Sequence, residues 1–357
     1  MVRSYPRFGI QLPHDPKDLI LKASIFADRN GFDSVFTPDH LVGIGIRNWS
    51  SYEAFTLLGA VSQVTTRVKL GTCVSDVLRR HPAVVAQFAV TLQDFSNGRA
   101  ILGLGAGEGM NLIPYGIESE KLVSKLEEGL KVIKRLFKEE KIDFAGKYFK
   151  LSSAFIMPKK RVPIWIAGNS PRTMELTAVF GDGWIPTAGM GAKKYGENLK
   201  EIRKLAKKLG RDQHIEAGVF AYVVVEESYD EAVKKIELPA KFLALMSPAR
   251  KQFLSAAGVD VEKLERLGIP DLFEFTFSKA RVRKAVELAK QIPFDAVKHR
   301  FVFGTAENVI AKIEEFLKAG AEHFVFTPLV RHSDYLPTIK RLAENVLPYF
   351  RDAKQPE

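Results

Sequence analysis

Short apolar runs alternate with amphipathic stretches along almost the whole chain. Phe8 to Leu12, Ser34 to Thr37, Val68 to Val74 and Ala100 to Leu104 have the length and composition of buried parallel strands. Pro163 to Ala167, Gly183 to Pro186, Ala217 to Val225 and His323 to Thr327 continue the series. Helical patterns fall between them, near Pro16 to Asn30, Tyr52 to Val64, Pro82 to Phe95, Ser119 to Glu139, Lys193 to Leu209, Ala306 to Ala319 and Asp334 to Phe350. A further helix starts at Pro171, as proline in a first turn often does. Eight strand–helix units predict an α/β fold, a (β/α)8 TIM barrel. Strand order is not written in the pattern, so an open doubly wound sheet is the alternative.

Two segments interrupt the rhythm. Ile142 to Leu151 carries Ala145-Gly146, a hairpin signal, and reads as an external decoration. Tyr229 to Pro293 reads as several helices broken by Pro239, Pro248, Gly258 and Pro270. It is too long for a simple crossover, so residues 229–293 form an insertion between strands seven and eight of one domain spanning 1–357.

Composition narrows the class. The chain has 357 residues, 46% of them apolar, enough for a sizeable core. No run reaches the ~18 to 20 apolar residues of a membrane span, and the N-terminal stretch lacks the features of a secretory signal. A single cysteine excludes an internal disulfide framework and an all-cysteine zinc site. A cytoplasmic protein is expected. Net charge is +11 and the isoelectric point about 9.5. The basic residues sit on helices beside glutamates, as in KLEEGLKVIKRLFKEEK, which points to solvated faces with i,i+4 ion pairs. Nucleic-acid binding would need a basic stripe with stacking aromatics, which is not found. Abundant Lys and Glu with little Cys hint at a thermophile.

If the barrel forms, chemistry belongs at the C-terminal ends of its strands. Asp39-His40 follows strand two, Cys73-Val74-Ser75-Asp76 strand three, Glu108 and Asn111 strand four, and Gly168-Asn169-Ser170 strand five. A histidine beside a carboxylate can exchange protons near neutral pH; a loop histidine bonded to a carbonyl is the alternative. Gly105-Ala106-Gly107-Glu108-Gly109 has little bulk, which lets backbone approach a flat ligand or simply makes a tight turn. Ser170 at a helix start either caps that helix or helps hold an anion. Cys73 lacks an adjacent base and reads as a wall residue. Arg79-Arg80 reads as a solvated loop, with an acidic ligand tail as the other reading. One nitrogen with two carboxylates (His40, Asp39, Glu108) is a poor ligand set, so no metal is expected. No phosphate loop, His-Glu-x-x-His or Gly-x-Ser-x-Gly elbow is present.

Taken together, FGI from Phe8, TPDH ending at His40, LGTCV from Leu70, HPAVVAQ from His81 and NGRAILGLGAGE ending at Glu108 resemble the luciferase-like family. PIWIAG from Pro163, GDGW ending at Trp184, GTAEN from Gly304 and GAEHFVF from Gly320 continue the resemblance over nearly the whole chain. Within the family the chain is most similar to the branch that uses the deazaflavin coenzyme F420, which includes methylenetetrahydromethanopterin reductase, phthiodiolone ketoreductase, and alcohol and glucose-6-phosphate dehydrogenases. CVSD from Cys73, RRHPAV from Arg79 and PYGI from Pro114 look especially like the ketoreductases.

The resemblance implies a homodimer of barrels with a non-proline cis peptide at Cys73–Val74. It implies that Asp39 and the Cys73–Val74 backbone meet the deazaflavin ring. Gly107, Glu108 and Asn111 would line the pocket, and Gly168, Asn169 and Ser170 would hold the phosphate. His40 matches the residue assigned to proton transfer, with Glu108 as a second acid or base. The implied activity is hydride transfer between coenzyme F420 and an alcohol or carbonyl substrate. Alternatives are methylenetetrahydromethanopterin reduction, an FMN-dependent monooxygenase, and a non-catalytic flavin-binding protein. The chain also departs from the branch. Gln11 stands where the pterin and sugar enzymes have Glu, Ile44 where a Trp is expected (with Trp49 as a substitute), and Asn198 about where the sugar enzyme has a phosphate-binding Lys. These departures disfavour glucose 6-phosphate.

Overall fold

A computed structural model describes residues 5–352 except 45, 47, 48, 212, 257, 267–270, 272 and 273. All eight expected strands form: β1 (Arg7–Gln11), β2 (Ser34–Thr37), β3 (Lys69–Thr72), β4 (Ala100–Leu104), β7 (Ile164–Ala167), β8 (Gly183–Ile185), β9 (Glu216–Val225) and β11 (His323–Pro328). Their ladder is parallel throughout, running β1-β2-β3-β4-β7-β8-β9-β11 and back to β1. The open-sheet alternative is thereby excluded, and the strands close as a (β/α)8 barrel.

Two layers of apolar packing hold the barrel. Inside it, Phe36, Cys73, Ile101, Trp165, Ile185 and Val325 form one buried cluster. Outside, helices bury one stripe each against the strands. Helix Leu122–Lys138 turns Leu126, Leu130, Ile133 and Leu136 inward. Its outer face carries the expected i,i+4 pairs Lys131–Glu127 and Arg135–Glu139.

β5 (Ile142–Ala145) and β6 (Lys150–Ala154) form the antiparallel hairpin expected around Ala145-Gly146. The insertion differs from its sequence reading in two respects. Pro239 does not break a helix; it lies inside Tyr229–Met246. A helix-interior proline forfeits a hydrogen bond, but Ile236, Ala240 and Leu245 of this helix are fully buried in the insertion's own core, which outweighs the loss. The insertion also runs past residue 293. Two 3₁₀ turns lead to β10 (Val302–Gly304), an unexpected strand that pairs with the last three residues of β9. Pro248 follows a helix end, as expected, whereas Pro270 lies outside the described residues. Among the described residues no helix is long and apolar enough to cross a membrane.

Candidate active site

Because the strands are parallel, the segments after β1, β2, β3, β4 and β7 emerge at one end of the barrel. The Cys73–Val74 peptide is cis. Gln11, the last residue of β1, donates its side-chain amide to the Cys73 carbonyl at 2.7 Å. Ser75 bridges to Leu104, which places the segment after β3 against the end of β4. Glycines in the segment after β4 accommodate this arrangement. A Cβ on Gly105 would lie 2.8 Å from Val74 Cγ2, and one on Gly107 (φ +89°) would lie 2.6 Å from Leu78. A side chain at either position would thus collide with its neighbours.

His40, Glu108 and Asn111 converge. His40 Nδ1 lies 3.1 Å from Asn111 Nδ2 and 3.5 Å from Glu108 Oε2. Asn111 Oδ1 accepts the Leu41 amide at 2.9 Å, so its Nδ2 must face the histidine as a donor. His40 Nδ1 therefore accepts, and the ring proton sits on Nε2. Burial pushes the His40 pKa down to about 3, with His14 and Arg79 adding to the fall and Asp39 opposing it. The imidazole is accordingly neutral at physiological pH. Glu108 Oε2 is buried and has no hydrogen-bond partner, although 31% of the side chain remains open. Burial pushes the Glu108 pKa up to about 7, opposed by Arg79 and assisted by Asp76. A carboxyl and an imidazole thus stand within reach of each other, with the carboxyl poised to change charge near neutrality.

Asp39 is engaged elsewhere. Its carboxylate accepts Ser75 Oγ at 2.6 Å and Arg80 at 2.8 and 3.1 Å, and pairs with Arg79 at 2.9 Å. Burial alone would raise its pKa, but the two guanidinium groups hold it below the ordinary value. Arg79 also binds Asp76 at 2.6 Å and is 6% exposed. The solvated-loop reading of Arg79-Arg80 is therefore wrong. A carboxylate forty residues upstream pairs with both.

Cys73 is buried, and burial raises its thiol pKa, which fits an inert wall residue. Gly168 follows β7, and its carbonyl accepts Trp184 Nε1 at 2.9 Å. Asn169 and Ser170 are exposed on the rim. Asn169 Oδ1 accepts the Thr187 amide at 3.3 Å, and Ser170 caps helix Pro171–Phe180 in a reciprocal box with Thr173. The backbone of that helix start remains the natural anion-facing element. Trp49 packs on Phe277 of the insertion, with ring centroids 5.9 Å apart. No cluster suited to a metal ion occurs among the described residues.

Two nearby residues gave no sequence signal. The His14 ring lies 5.4 Å from that of His40, and burial pushes its pKa down to about 4. The Tyr222 hydroxyl has its pKa raised by burial, then by Glu108 and Cys73, so it stays a neutral donor at the mouth. Each is a lone residue in a loop or strand whose neighbours in space are distant in sequence.

A parallel (β/α)8 barrel with paired ionisable groups at its C-terminal mouth defines a barrel enzyme. Residues 15–323 match the family described as luciferase-like monooxygenase, and the chain belongs to that family. It is 32% identical over 313 residues to the phthiodiolone/phenolphthiodiolone dimycocerosates ketoreductase of Mycobacterium bovis, covering 84% of this chain and 79% of the relative. It is 30% identical over 348 residues to the F420-dependent glucose-6-phosphate dehydrogenase of Amycolatopsis mediterranei, covering 94% of this chain and 95% of the relative. Among solved structures, an F420-dependent secondary alcohol dehydrogenase in complex with an F420-acetone adduct superposes with a TM-score of 0.80 at 24% identity, over 96% of this chain and 98% of that one.

Proposed function

We propose that this protein is a coenzyme F420-dependent oxidoreductase that transfers a hydride between the deazaflavin and an alcohol or carbonyl carbon. The observation that carries the reading is the orphaned, buried Glu108 Oε2 set 3.5 Å from His40 at the barrel mouth. A buried polar atom left without a partner costs free energy, and a functional role is one reason for such a group to persist. The relatives named for F420 support the choice of coenzyme. When bound, the deazaflavin supplies the hydride chemistry; the chain supplies position and protons.

The Cys73–Val74 backbone would form the wall behind the ring, with Gly107 and Asn111 beside it. Asp39 would act from behind that wall, anchoring Arg79 and Arg80. Gly168, Asn169 and Ser170 would present the helix start to the coenzyme's phosphate. His40 donates its Nε2 proton to the oxygen of a carbonyl undergoing reduction. As it does so, Nδ1 exchanges the Asn111 hydrogen bond for the proton of Glu108; the ring then returns that proton to Glu108 and regains its Nε2 proton from water, which restores the starting tautomer. Alcohol oxidation runs the same exchange backwards. Asn111 is the positioning residue, because its donated hydrogen bond selects the starting tautomer.

The test uses purified protein titrated with F420 and, separately, FMN, followed by fluorescence. The loaded protein is then mixed with secondary alcohols, ketones and a methylene-pterin while the coenzyme's oxidation state is monitored. Binding of F420 and its turnover with an alcohol or ketone is expected. FMN binding alone, pterin turnover alone, or tight binding with no turnover of any panel member would each replace the proposal with the corresponding alternative. The resemblance also implies a homodimer, which sedimentation of the purified chain tests.

A further inference from the structure

We infer that Gln11 is a positioning residue that ties the Cys73 carbonyl into the cofactor-facing wall and keeps that wall free of a second acid. The inference rests on the cofactor reading above. Gln11 is 7% exposed, and both ends of its amide are engaged. Nε2 donates to the Cys73 carbonyl at 2.7 Å, and Oε1 accepts the Thr327 hydroxyl at 3.1 Å. β1 lies between β2 and β11 in the ladder, so this one side chain links the end of β11 to the segment after β3, past β2. The Gln11 carbonyl in turn accepts the buried Tyr335 hydroxyl, which fixes its backbone.

The chemistry of the position requires an amide. The Cys73 oxygen can only accept, so its partner must donate; the Thr327 hydroxyl, able to donate or accept, donates to the amide oxygen at the other end. A glutamate here satisfies both only while protonated. Once ionised it sets a carboxylate oxygen against the Cys73 oxygen, with no donor between them and little water. Gln11 satisfies both at every pH. Gln11 therefore adds no titrating group to the mouth, where His40, Glu108, His14 and Tyr222 already stand.

Gln11→Glu tests this. The dissociation constant of F420 is measured by fluorescence quenching from about pH 5 to 9, spanning the ordinary carboxylate range and above, for wild type, Gln11→Glu, Gln11→Met and Thr327→Val. Taking each variant as a ratio to wild type removes the titration of Glu108. The Gln11→Glu ratio should rise about tenfold or more as pH increases, the cost of leaving a buried acceptor facing a charge. The Gln11→Met ratio should be raised but flat. Thr327→Val, at a partly exposed position, should show a smaller, flat rise of about threefold. A Gln11→Glu ratio that does not change with pH, or a Thr327→Val variant that binds as wild type does, overturns the inference while leaving the cofactor reading in place. Failure of wild type to bind F420 overturns that reading, and this inference with it.

Discussion

At the floor of the barrel, His323 has both ring nitrogens engaged: Ser34 Oγ lies 2.6 Å from Nε2 and Glu216 Oε1 2.6 Å from Nδ1, with Arg7 2.9 Å from the same carboxylate. At the mouth, His40 has Asn111 on one nitrogen, and its carboxyl neighbour Glu108 has an oxygen with no partner. The floor group has the order of a serine–histidine–carboxylate triad, yet Ser34 is 0% exposed and the Trp165 ring stands edge-on over His323 at 5.0 Å. No substrate can enter there. Arg7, Ser34, Glu216 and His323 begin β1, β2, β9 and β11 and pin those strand ends together. Both ends of one barrel hold a histidine beside a glutamate; bonding is satisfied at the floor, and the unpartnered oxygen makes the mouth the candidate site.

The comparison breaks most visibly if the floor is opened. His323→Ala removes one of Glu216's two partners, leaving Arg7, and leaves Ser34 unpaired; it should cost about 2–4 kcal/mol in denaturant unfolding, with the Kd for F420 unchanged while the protein stays folded. His40→Ala should do the reverse. Turnover with F420 should fall about a hundredfold or more, coenzyme affinity should change less than about twofold, and stability should hold. A large unfolding effect at His40 with a small one at His323 would invert the assignment.

Glu108→Gln sharpens the contrast. The folded-state pKa of about 7 lies above the unfolded value, so the carboxyl increasingly destabilises the fold as pH rises from the ordinary glutamate range through 7. Replacing it should stabilise the protein by about 1 kcal/mol above pH 7, a value discounted because part of the side chain is open. The gain should vanish in mild acid, where the native carboxyl is already neutral. The same variant should slow turnover and remove the ionisation near neutrality from the pH profile. The smallest effect belongs to the surface pair Lys131–Glu127, where Lys131→Ala should cost at most about 0.5 kcal/mol and leave both ends of the barrel untouched.

The eight strands were readable because each is a short apolar run ended by Gly, Pro or a polar residue, and the barrel rule then put Asp39, His40, Cys73, Glu108 and Gly168 at one end. What escaped reading depends on partners far away in sequence. Arg79 and Arg80 look solvated until Asp39 is seen beneath them. His323 reads as a strand start, since Ser34 lies 289 residues away. Gly105 and Gly107 are further required because a side chain at either would meet Val74 or Leu78, contacts with residues some thirty positions away. β10 is three residues long, too short for any period to register, and Pro239 is held in a helix by core packing that local propensity does not reveal.

The central claim is that Glu108 is kept as an unsatisfied acid at the mouth. It is tested most directly by titrating the carboxyl carbons of ¹³C-glutamate-labelled protein by NMR, with Glu108→Gln assigning the resonance. The account predicts a midpoint near 7 for that resonance in the free protein. A midpoint in the ordinary carboxylate range, about 4.3, would show that Glu108 is not held as an unsatisfied acid and would contradict it.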